Sequence, residues 1–157
     1  MGKKKSKTPA NTIARNRIAR HEYYIDDDIE VGMALEGWEV KSLRAGNLQL
    51  KESYVMIKNG EMWITGAHIS ALSSASTHVN PDPRRTRKLL AHRSEIDRLS
   101  GMVERKGFTL VALSAYWVRG KAKLKIGVAK GKKSHDKRAS VKDRDWKRDQ
   151  ARILKPG

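Results

Sequence analysis

The stretch YVMIK-NG-EMWIT, residues 54–65, decides the fold of this chain. Two runs rich in β-branched and aromatic residues flank the dipeptide Asn59-Gly60. Asn-Gly accepts positive φ at both central positions of a type I′ turn, whose twist matches that of two paired strands. The sequence therefore predicts an antiparallel hairpin here and antiparallel connections in the sheet to which it belongs.

Further strands are predicted on both sides of the hairpin. Apolar residues fall mostly at odd positions from Tyr23 to Leu35, which indicates one long, bent strand. The acidic run Asp26–Asp28 interrupts it and is interpreted as a solvated edge, because neighbouring side chains in a strand point to opposite faces and make a poor metal site. Later strands are expected at 89–91, 108–118 and 121–128.

Two short helices are predicted between the strands. The first covers 37–46, and its Lys41 and Arg44 lie away from the apolar stripe. The second begins with Ser94 as its cap and ends before Gly107. The irregular segments are 11–20, a turn or short helix, and 68–84, a loop.

About six strands with two short helices make a mainly β fold, and a small OB-type antiparallel β-barrel fits this pattern best. OB-type barrels often bind nucleic acid, although a fold class alone does not decide a function.

The composition indicates a polyanionic partner. The chain has 157 residues, is 38% hydrophobic and carries a net charge of +17. This charge favours nucleic acid or an acidic surface as the partner. The absence of cysteine excludes disulfides and thiolate metal sites. No apolar run is long enough to span a bilayer, so no membrane partner is expected.

Charge also divides the chain into three parts: a disordered basic arm at 1–10, the barrel at 11–130 and a basic tail at 131–157. From Lys130 to the end, eleven Lys or Arg stand against four Asp, about +7. So few apolar residues cannot offset the entropy of ordering, so the isolated tail is expected to be disordered. Ser140 and Asp143 nearly match a capping box, which predicts a helix that forms on binding.

Lys121, Lys123 and Lys125 alternate with apolar residues in the last predicted strand. One face should therefore enter the core while the other presents three lysines. Such lysines are a possible RNA-contacting row, or else protection of a sheet edge against aggregation.

The sequence gives little sign of catalysis. Its five histidines are scattered without the spacing of a metal site. His135-Asp136 is the adjacent acid–base pair, but it lies in the predicted flexible tail, where a pre-organised site is hard to maintain. We therefore expect a protein that is not an enzyme and has no metal or other cofactor. An RNA-processing enzyme using His135 and Asp136 remains an alternative.

Four blocks of sequence carry a family resemblance: 16–23, Gly37–Gly46, Arg87–Leu90 and Ala129–Arg138. In this order they strongly resemble the SsrA-binding protein family, also called small protein B. The motifs E-V-K-S-L-R-A-G and G-K-K-x-x-D-K-R are specific to it, and the similarity runs over nearly the whole chain. One departure is Ile18, where the family more often has a basic residue able to contact phosphate.

The resemblance implies an OB-type barrel that binds the tRNA-like domain of transfer-messenger RNA. It also implies a tail that becomes helical in the vacant mRNA channel of a stalled ribosome, near the decoding site. The implied partners are this RNA and the ribosome, with one monomer per RNA, in the cytoplasm. The alternative is a general ribosomal or structured-RNA-binding protein, which would explain the high positive charge equally well.

By family similarity, Asn16, Glu30 and Leu90 match positions important for RNA binding. From the residues alone, Glu30 would be a strand-edge acid and Leu90 a core leucine. The other residues of the body predicted to bind RNA are Arg17, Arg20, His21, Lys41, Arg44, Lys121, Lys123 and Lys125. The tail residues predicted to engage the ribosome are Lys132, Lys133, His135, Asp136, Lys137, Arg138 and Trp146.

Overall fold

A computed structural model describes residues 11–72 and 81–132 of the chain. The strands are β1 Thr12–Arg15, β2 Tyr23–Met33, β3 Leu48–Gln49, β4 Tyr54–Lys58, β5 Glu61–Thr65, β6 His68–Ile69, β7 Arg87–Leu90, β8 Thr109–Val118 and β9 Lys121–Gly131. The helices are α1 Ala19–Glu22, α2 Gly37–Arg44 and α3 Arg93–Lys106. The predicted arm at 1–10 and the predicted tail from 133 onward lie outside the described residues.

The main sheet has seven strands in the order β1-β8-β9-β2-β7-β5-β4, and all its neighbours are antiparallel. At one end of this order β4 packs against β8, which lies next to the other end. The sheet therefore curls on itself into a small barrel. The prediction of a mainly β, antiparallel OB-type barrel is confirmed.

The hairpin predicted around Asn59-Gly60 joins β4 to β5, with Val55 paired to Ile64 and Lys58 to Glu61. Asn59 has φ 53° and Gly60 has φ 73°, the positive values that a type I′ turn requires. The predicted hairpin is confirmed, because its turn chemistry is local and needs no tertiary contact to specify it.

The barrel interior is lined by alternate residues of the strands. In β9 the core positions are Ala122, Leu124, Ile126 and Val128, each buried. Helix α3 adds Ile96 and Leu99 to the same core. The predicted alternation of β9, with the lysines on the opposite face, is confirmed.

Several sequence-based boundaries are wrong. Residues 12–15 form a strand paired with β8, because their partner lies about a hundred residues away and local pattern does not reveal it. The N-cap of α3 is His92 rather than Ser94, so Ser94 lies inside the helix. The strand expected at 121–128 continues to Gly131, whose partner is Tyr23. The short pair β3 and β6 was not predicted, and β6 begins the segment expected to be a loop.

A buried ion-pair cluster ties the chain around β7 to α2. Glu39 is 0% exposed and Arg87 1% exposed, and the Nε of Arg87 donates to the Glu39 carboxylate. Arg85 donates to the other Glu39 oxygen at 2.6 Å. Arg87 also donates to the carbonyl oxygens of Ala67 at 2.9 Å and Pro83 at 3.2 Å. One guanidinium therefore holds three separate segments together.

Candidate nucleic-acid interface

The outer face of β8, β9 and β2 forms a lysine ladder, by which we mean Lys121, Lys123 and Lys125. Lys125 lies between Ser114 of β8 and Glu30 of β2. The next outward row is Tyr116, Lys123 and Gly32. Because the intervening β9 residues enter the core, the three lysines share one face. The ladder is thus built by the pleat of one strand.

A carboxylate lies within this basic face. Tyr116 donates its hydroxyl hydrogen to Oε1 of Glu30 at 2.6 Å. Burial, followed by the hydrogen bond to Glu30, raises the pKa of Tyr116 well above its ordinary value. The phenol therefore stays protonated at neutral pH and is the donor of this bond.

A first concavity of about 440 Å³ adjoins the ladder at its Lys125 end. It is lined by Arg15, Asn16, Arg17, Arg20, Leu113, Ser114 and Lys125. The lining combines four arginine or lysine side chains from β1, the β1–α1 connection, α1 and β9. Such a basic hollow suits phosphate groups of a folded RNA.

Asn16 lines this concavity and is hydrogen-bonded to β8. Its backbone N–H donates to the carbonyl oxygen of Leu113 at 2.8 Å, and its side-chain Nδ2 donates to that of Ala112 at 2.9 Å. These carbonyls lie at the irregularity between Ala112 and Ser114 in β8. The Oδ1 of Asn16 is buried and has no hydrogen-bond partner among residues 11–72 and 81–132. Asn16 thus attaches the basic β1–α1 connection to β8.

A second concavity of about 320 Å³ adjoins the other end of the ladder. Its lining includes Gly32, Leu90, Trp117, Lys121 and Lys123. An apolar surface is therefore placed directly beside two lysines, as is common where unstacked bases contact protein.

Leu90 lies in this second concavity and not in the core. It is 52% exposed, whereas its neighbour Leu89 is 1% exposed. A Cβ on Gly32, its partner across the β2–β7 pair, would be 3.3 Å from the Leu90 Cβ. The expectation of a core leucine is wrong, because the run Leu89-Leu90 lies in a strand and only one of two successive residues can face inward.

The remaining predicted residues of the body are less closely joined to this face. His21 is half-buried, and its Nδ1 has no hydrogen-bond partner within the described part of the chain. Lys41 and Arg44 are exposed on α2 and line neither of the two concavities. Glu30 lies where β2 pairs with β9 but not yet with β7, and it is exposed as expected for a strand-edge acid.

Lys132, predicted as the start of the ribosome-engaging tail, is held against the barrel. Its N–H donates to the Glu22 carbonyl oxygen at 2.9 Å, and its ammonium lies 4.9 Å from the centre of the Tyr24 ring. The predicted tail residues beyond it lie outside the described residues: Lys133, His135, Asp136, Lys137, Arg138 and Trp146.

Sequence reasoning missed Tyr116 and Arg15 on this face. Tyr116 lies in the middle of an apolar run, and its contact with Glu30 joins residues 86 positions apart. The signal in the sequence was the period of two along β8: Ser114 and Tyr116 alternate with the buried Ala115 and therefore lie on the outer face.

The described residues contain neither a metal-binding cluster nor a membrane-spanning helix. Over residues 11–72 and 81–132, no group of three or more His, Cys, Asp or Glu side chains is arranged to hold a metal ion. Within the same ranges, no helix has the length and apolar character needed to cross a membrane.

Comparison with known proteins identifies the family. Residues 13–156 match the model of a family described as SmpB protein. The chain belongs to the SmpB family. The resemblance stated from the sequence blocks is confirmed.

Curated SmpB relatives share more than half of their residues with this chain. The SsrA-binding protein of Alkalilimnicola ehrlichii is 58% identical over 152 residues, which cover 97% of this chain and 95% of the relative. That of Ruthia magnifica is 59% identical, with 97% and 92% covered. That of Alcanivorax borkumensis is 57% identical, with 99% of both chains covered.

A solved SmpB structure is also similar. It is described as "tmRNA-SmpB: a journey to the center of the bacterial ribosome". The similarity has a TM-score of 0.64 at 47% identity, and covers 77% of this chain and 85% of that chain. The barrel found here is therefore the SmpB barrel.

Proposed function

We propose that this protein binds the tRNA-like domain of transfer-messenger RNA and delivers it to stalled ribosomes for trans-translation. The observation that carries the proposal is the outer face of β8, β9 and β2, where the lysine ladder lies between a basic and an apolar concavity. The name of the relatives and the description of the solved neighbour support this RNA and the ribosome as the partners.

The barrel would recognise the shape of the folded RNA and contact its phosphate groups. Structured RNA is recognised mainly through its backbone and hydroxyl groups, which a row of lysines beside an arginine-lined hollow can contact. Leu90, exposed beside Lys123, would pack against an unstacked base or ribose. The predicted RNA-binding residues Lys41 and Arg44 would contact a different part of the same RNA.

The tail, 131–157, would act on the ribosome. Its charge of about +6 suits a channel lined with rRNA, and its near capping box supports a helix that forms on binding. Ordering would then be coupled to entry into the vacant mRNA channel near the decoding site. Lys133, His135, Asp136, Lys137, Arg138 and Trp146 would make these contacts.

The same proposal describes a non-catalytic protein of the cytoplasm that acts as one monomer per RNA. Its role is to hold an RNA and to fill a channel, and neither step forms or breaks a covalent bond. Incubation of the protein with this RNA should therefore leave the RNA intact.

The first test is binding to the tRNA-like domain at physiological salt, with ordinary tRNA and random RNA as competitors. The full chain is compared with a version truncated after Lys132, which keeps all of β9 and the Lys132–Glu22 hydrogen bond. We expect tight, selective binding by both proteins. Loss of selectivity in the full chain would favour the alternative, a general structured-RNA-binding protein whose affinity falls steeply with salt for every RNA.

The second test separates the tail from the barrel. Trp146→Ala in the full chain should keep the affinity for the tRNA-like domain and lower tagging in a reconstituted assay on ribosomes stalled at a message end. Trp63→Phe, a change on β5 outside both concavities, is the comparison for non-specific effects on tagging. Reduced RNA affinity of Trp146→Ala would instead place RNA recognition partly in the tail.

A further inference from the structure

Glu30 is an acidic side chain in the face proposed to bind RNA. It is exposed, and it lies directly across from Lys125 and next to the row of Lys123. A carboxylate here lowers the positive potential that attracts phosphate. Attraction of the RNA backbone therefore does not account for a glutamate at this position.

Glu30 is not an ion-pair partner of the ladder. Among residues 11–72 and 81–132, the ion pairs present involve neither Glu30 nor any lysine of the ladder. The lysines are therefore left for an external anion. The neighbour that does contact Glu30 is neutral.

That neighbour is Tyr116, and its hydrogen bond crosses a whole strand. Tyr116 lies on β8 and Glu30 on β2, with β9 between them. Two strands separated by a third are roughly 10 Å apart, so the phenol must lie over β9 between the rows of Lys123 and Lys125. The next outward position of β2 is Gly32, where a Cβ would lie 3.7 Å from the Nζ of Lys123.

The bond fixes one carboxylate oxygen and leaves the other available. Oε1 accepts from Tyr116, and no other hydrogen bond to Glu30 occurs within the described ranges. Since the raised pKa keeps the phenol protonated, Tyr116 donates without neutralising the carboxylate. Oε2 is then an acceptor held in place on the face that carries the lysine ladder.

An ionised carboxylate accepts hydrogen bonds and cannot donate them. Phosphate and ribose ring oxygens of RNA have no hydrogen to donate to this carboxylate, whereas the ribose 2′-hydroxyl and the N–H groups of bases are donors. The ladder lysines attract the phosphates of any nucleic acid. The free carboxylate oxygen of Glu30 therefore favours a nucleic acid that places a hydrogen-bond donor against it.

We propose that Tyr116 is a positioning residue that holds Glu30 so that its free oxygen accepts a hydrogen bond from a 2′-hydroxyl or base N–H of the bound RNA. The inference rests on the proposed function and adds to it a point of specificity, while the lysines supply affinity. Tyr116 itself need not touch the RNA.

The test uses the full chain and the variant Tyr116→Phe, which removes only the hydroxyl. A hydrogen bond to a charged group is worth enough to predict a loss of about tenfold in affinity for the tRNA-like domain. The slope of affinity against salt should stay unchanged, because no phosphate contact is lost. Tyr54→Phe is the matched control, since Tyr54 is 65% exposed on β4 and lines neither of the two concavities.

A double-mutant cycle separates positioning from folding. If Tyr116 acts through Glu30, Tyr116→Phe should cost much less affinity in a Glu30→Ala background than in the wild-type chain. Equal losses in both backgrounds would overturn the inference. Glu30→Gln provides a second, less drastic change, because its amide oxygen can still accept from Tyr116 while the charge is lost.

Modified RNAs identify the donor. One set of tRNA-like domains carries single 2′-deoxy nucleotides, and another carries single base analogues in which one N–H donor is removed or methylated, including inosine in place of guanosine. The wild-type chain should lose affinity for one RNA of one set, and Tyr116→Phe should discriminate that RNA from its unmodified form several-fold less. If no single modification separates the two proteins, the inference is wrong.

The outcomes also separate this inference from the proposed function. A wild-type chain that does not prefer the tRNA-like domain over tRNA would remove the proposed function and the inference with it. Selective wild-type binding that Tyr116→Phe leaves unchanged would remove the inference alone.

Discussion

At the scale of single residues, Leu89 and Leu90 show how adjacent identical side chains acquire different roles. Leu89 is 1% exposed and packs in the core, while Leu90 is 52% exposed and borders the lysine ladder. The same type of substitution should therefore change two different properties of the protein.

Leu90→Ala should leave the free energy of unfolding within about 0.5 kcal/mol of the wild type, as is usual for exposed positions. It should weaken binding of the tRNA-like domain, because it removes part of the apolar lining of the second concavity. Leu89→Ala should lower the free energy of unfolding by about 2–5 kcal/mol. Urea denaturation and RNA titration of both variants check this, and a Leu90→Ala variant as unstable as Leu89→Ala would contradict it.

Arg87 is a second residue whose role is set by burial. Arg87→Met removes one partner of Glu39 and leaves a buried carboxylate poorly compensated, which should cost about 3–5 kcal/mol of unfolding free energy. The control is Arg84→Met, because Arg84 is largely exposed and its 3.8 Å pair with Glu52 is on the surface. That variant should change stability by less than about 1 kcal/mol in the same denaturation experiment.

The Glu39 carboxyl also predicts a dependence on pH. Burial alone would raise its pKa, but hydrogen bonds from Arg85, the Glu36 backbone N–H and Arg87 outweigh this, so the pKa lies below its ordinary value of 4.5. A lowered native pKa stabilises the folded state above the unfolded-state pKa, and this contribution is lost as pH falls through the native pKa. The stability difference between wild type and Glu39→Gln should hold from pH 7 to about 5 and shrink below about 4.5. A constant difference down to pH 3 would refute this account.

At the scale of elements, β9 is the strand that joins core and surface. Its even-numbered residues from Ala122 to Val128 are buried, and its ladder lysines lie on the other face. Substitutions in the ladder should therefore affect RNA binding without affecting the fold.

Replacing Lys121, Lys123 and Lys125 by Ala should lower affinity for the tRNA-like domain and for random RNA alike, because phosphate contacts carry no sequence information. Each lost phosphate contact should reduce the slope of log affinity against log salt by up to about 0.9. Lys58→Ala on β4 is the matched control and should leave both quantities unchanged. An unchanged salt slope in the triple variant would show that the ladder does not contact phosphate.

The elements also show which parts of the fold a sequence can reveal. The β4–β5 hairpin and α2 could be predicted, because the Asn59-Gly60 turn and a periodic apolar stripe are local signals. Strand β1 could not, since its pairing partner, β8, is distant in the chain. The lysine ladder was visible in the period of two, whereas the Tyr116–Glu30 bond depends on which strands flank β9. The exposed Leu90 was misread because two successive leucines do not show which one faces inward.

At the scale of the whole molecule, the last residues of β9 determine which C-terminal truncations keep the barrel stable. Gly131 pairs with Tyr23 and Ala129 pairs with both Ile25 and Thr109. Truncation after Lys132 keeps these pairs and should preserve the thermal midpoint of the barrel. Truncation after Val128, where the strand was expected to end, removes them and should lower the midpoint by several degrees. Equal midpoints for the two proteins would show that the last residues of β9 add no stability.

The continuity of β9 has a geometric consequence for the proposed delivery of RNA. The strand runs without interruption from the ladder to Gly131, and it pairs with β8 from Lys121 to Ala129 and with β2 from Lys123 to Gly131. Lys123 and Lys132 are nine residues apart in the chain. At about 3.3 Å per residue their separation is roughly 30 Å. β9 therefore fixes the distance between the RNA-binding face and the start of the tail. On the ribosome, the binding sites for the RNA and for the tail must be separated by the same distance.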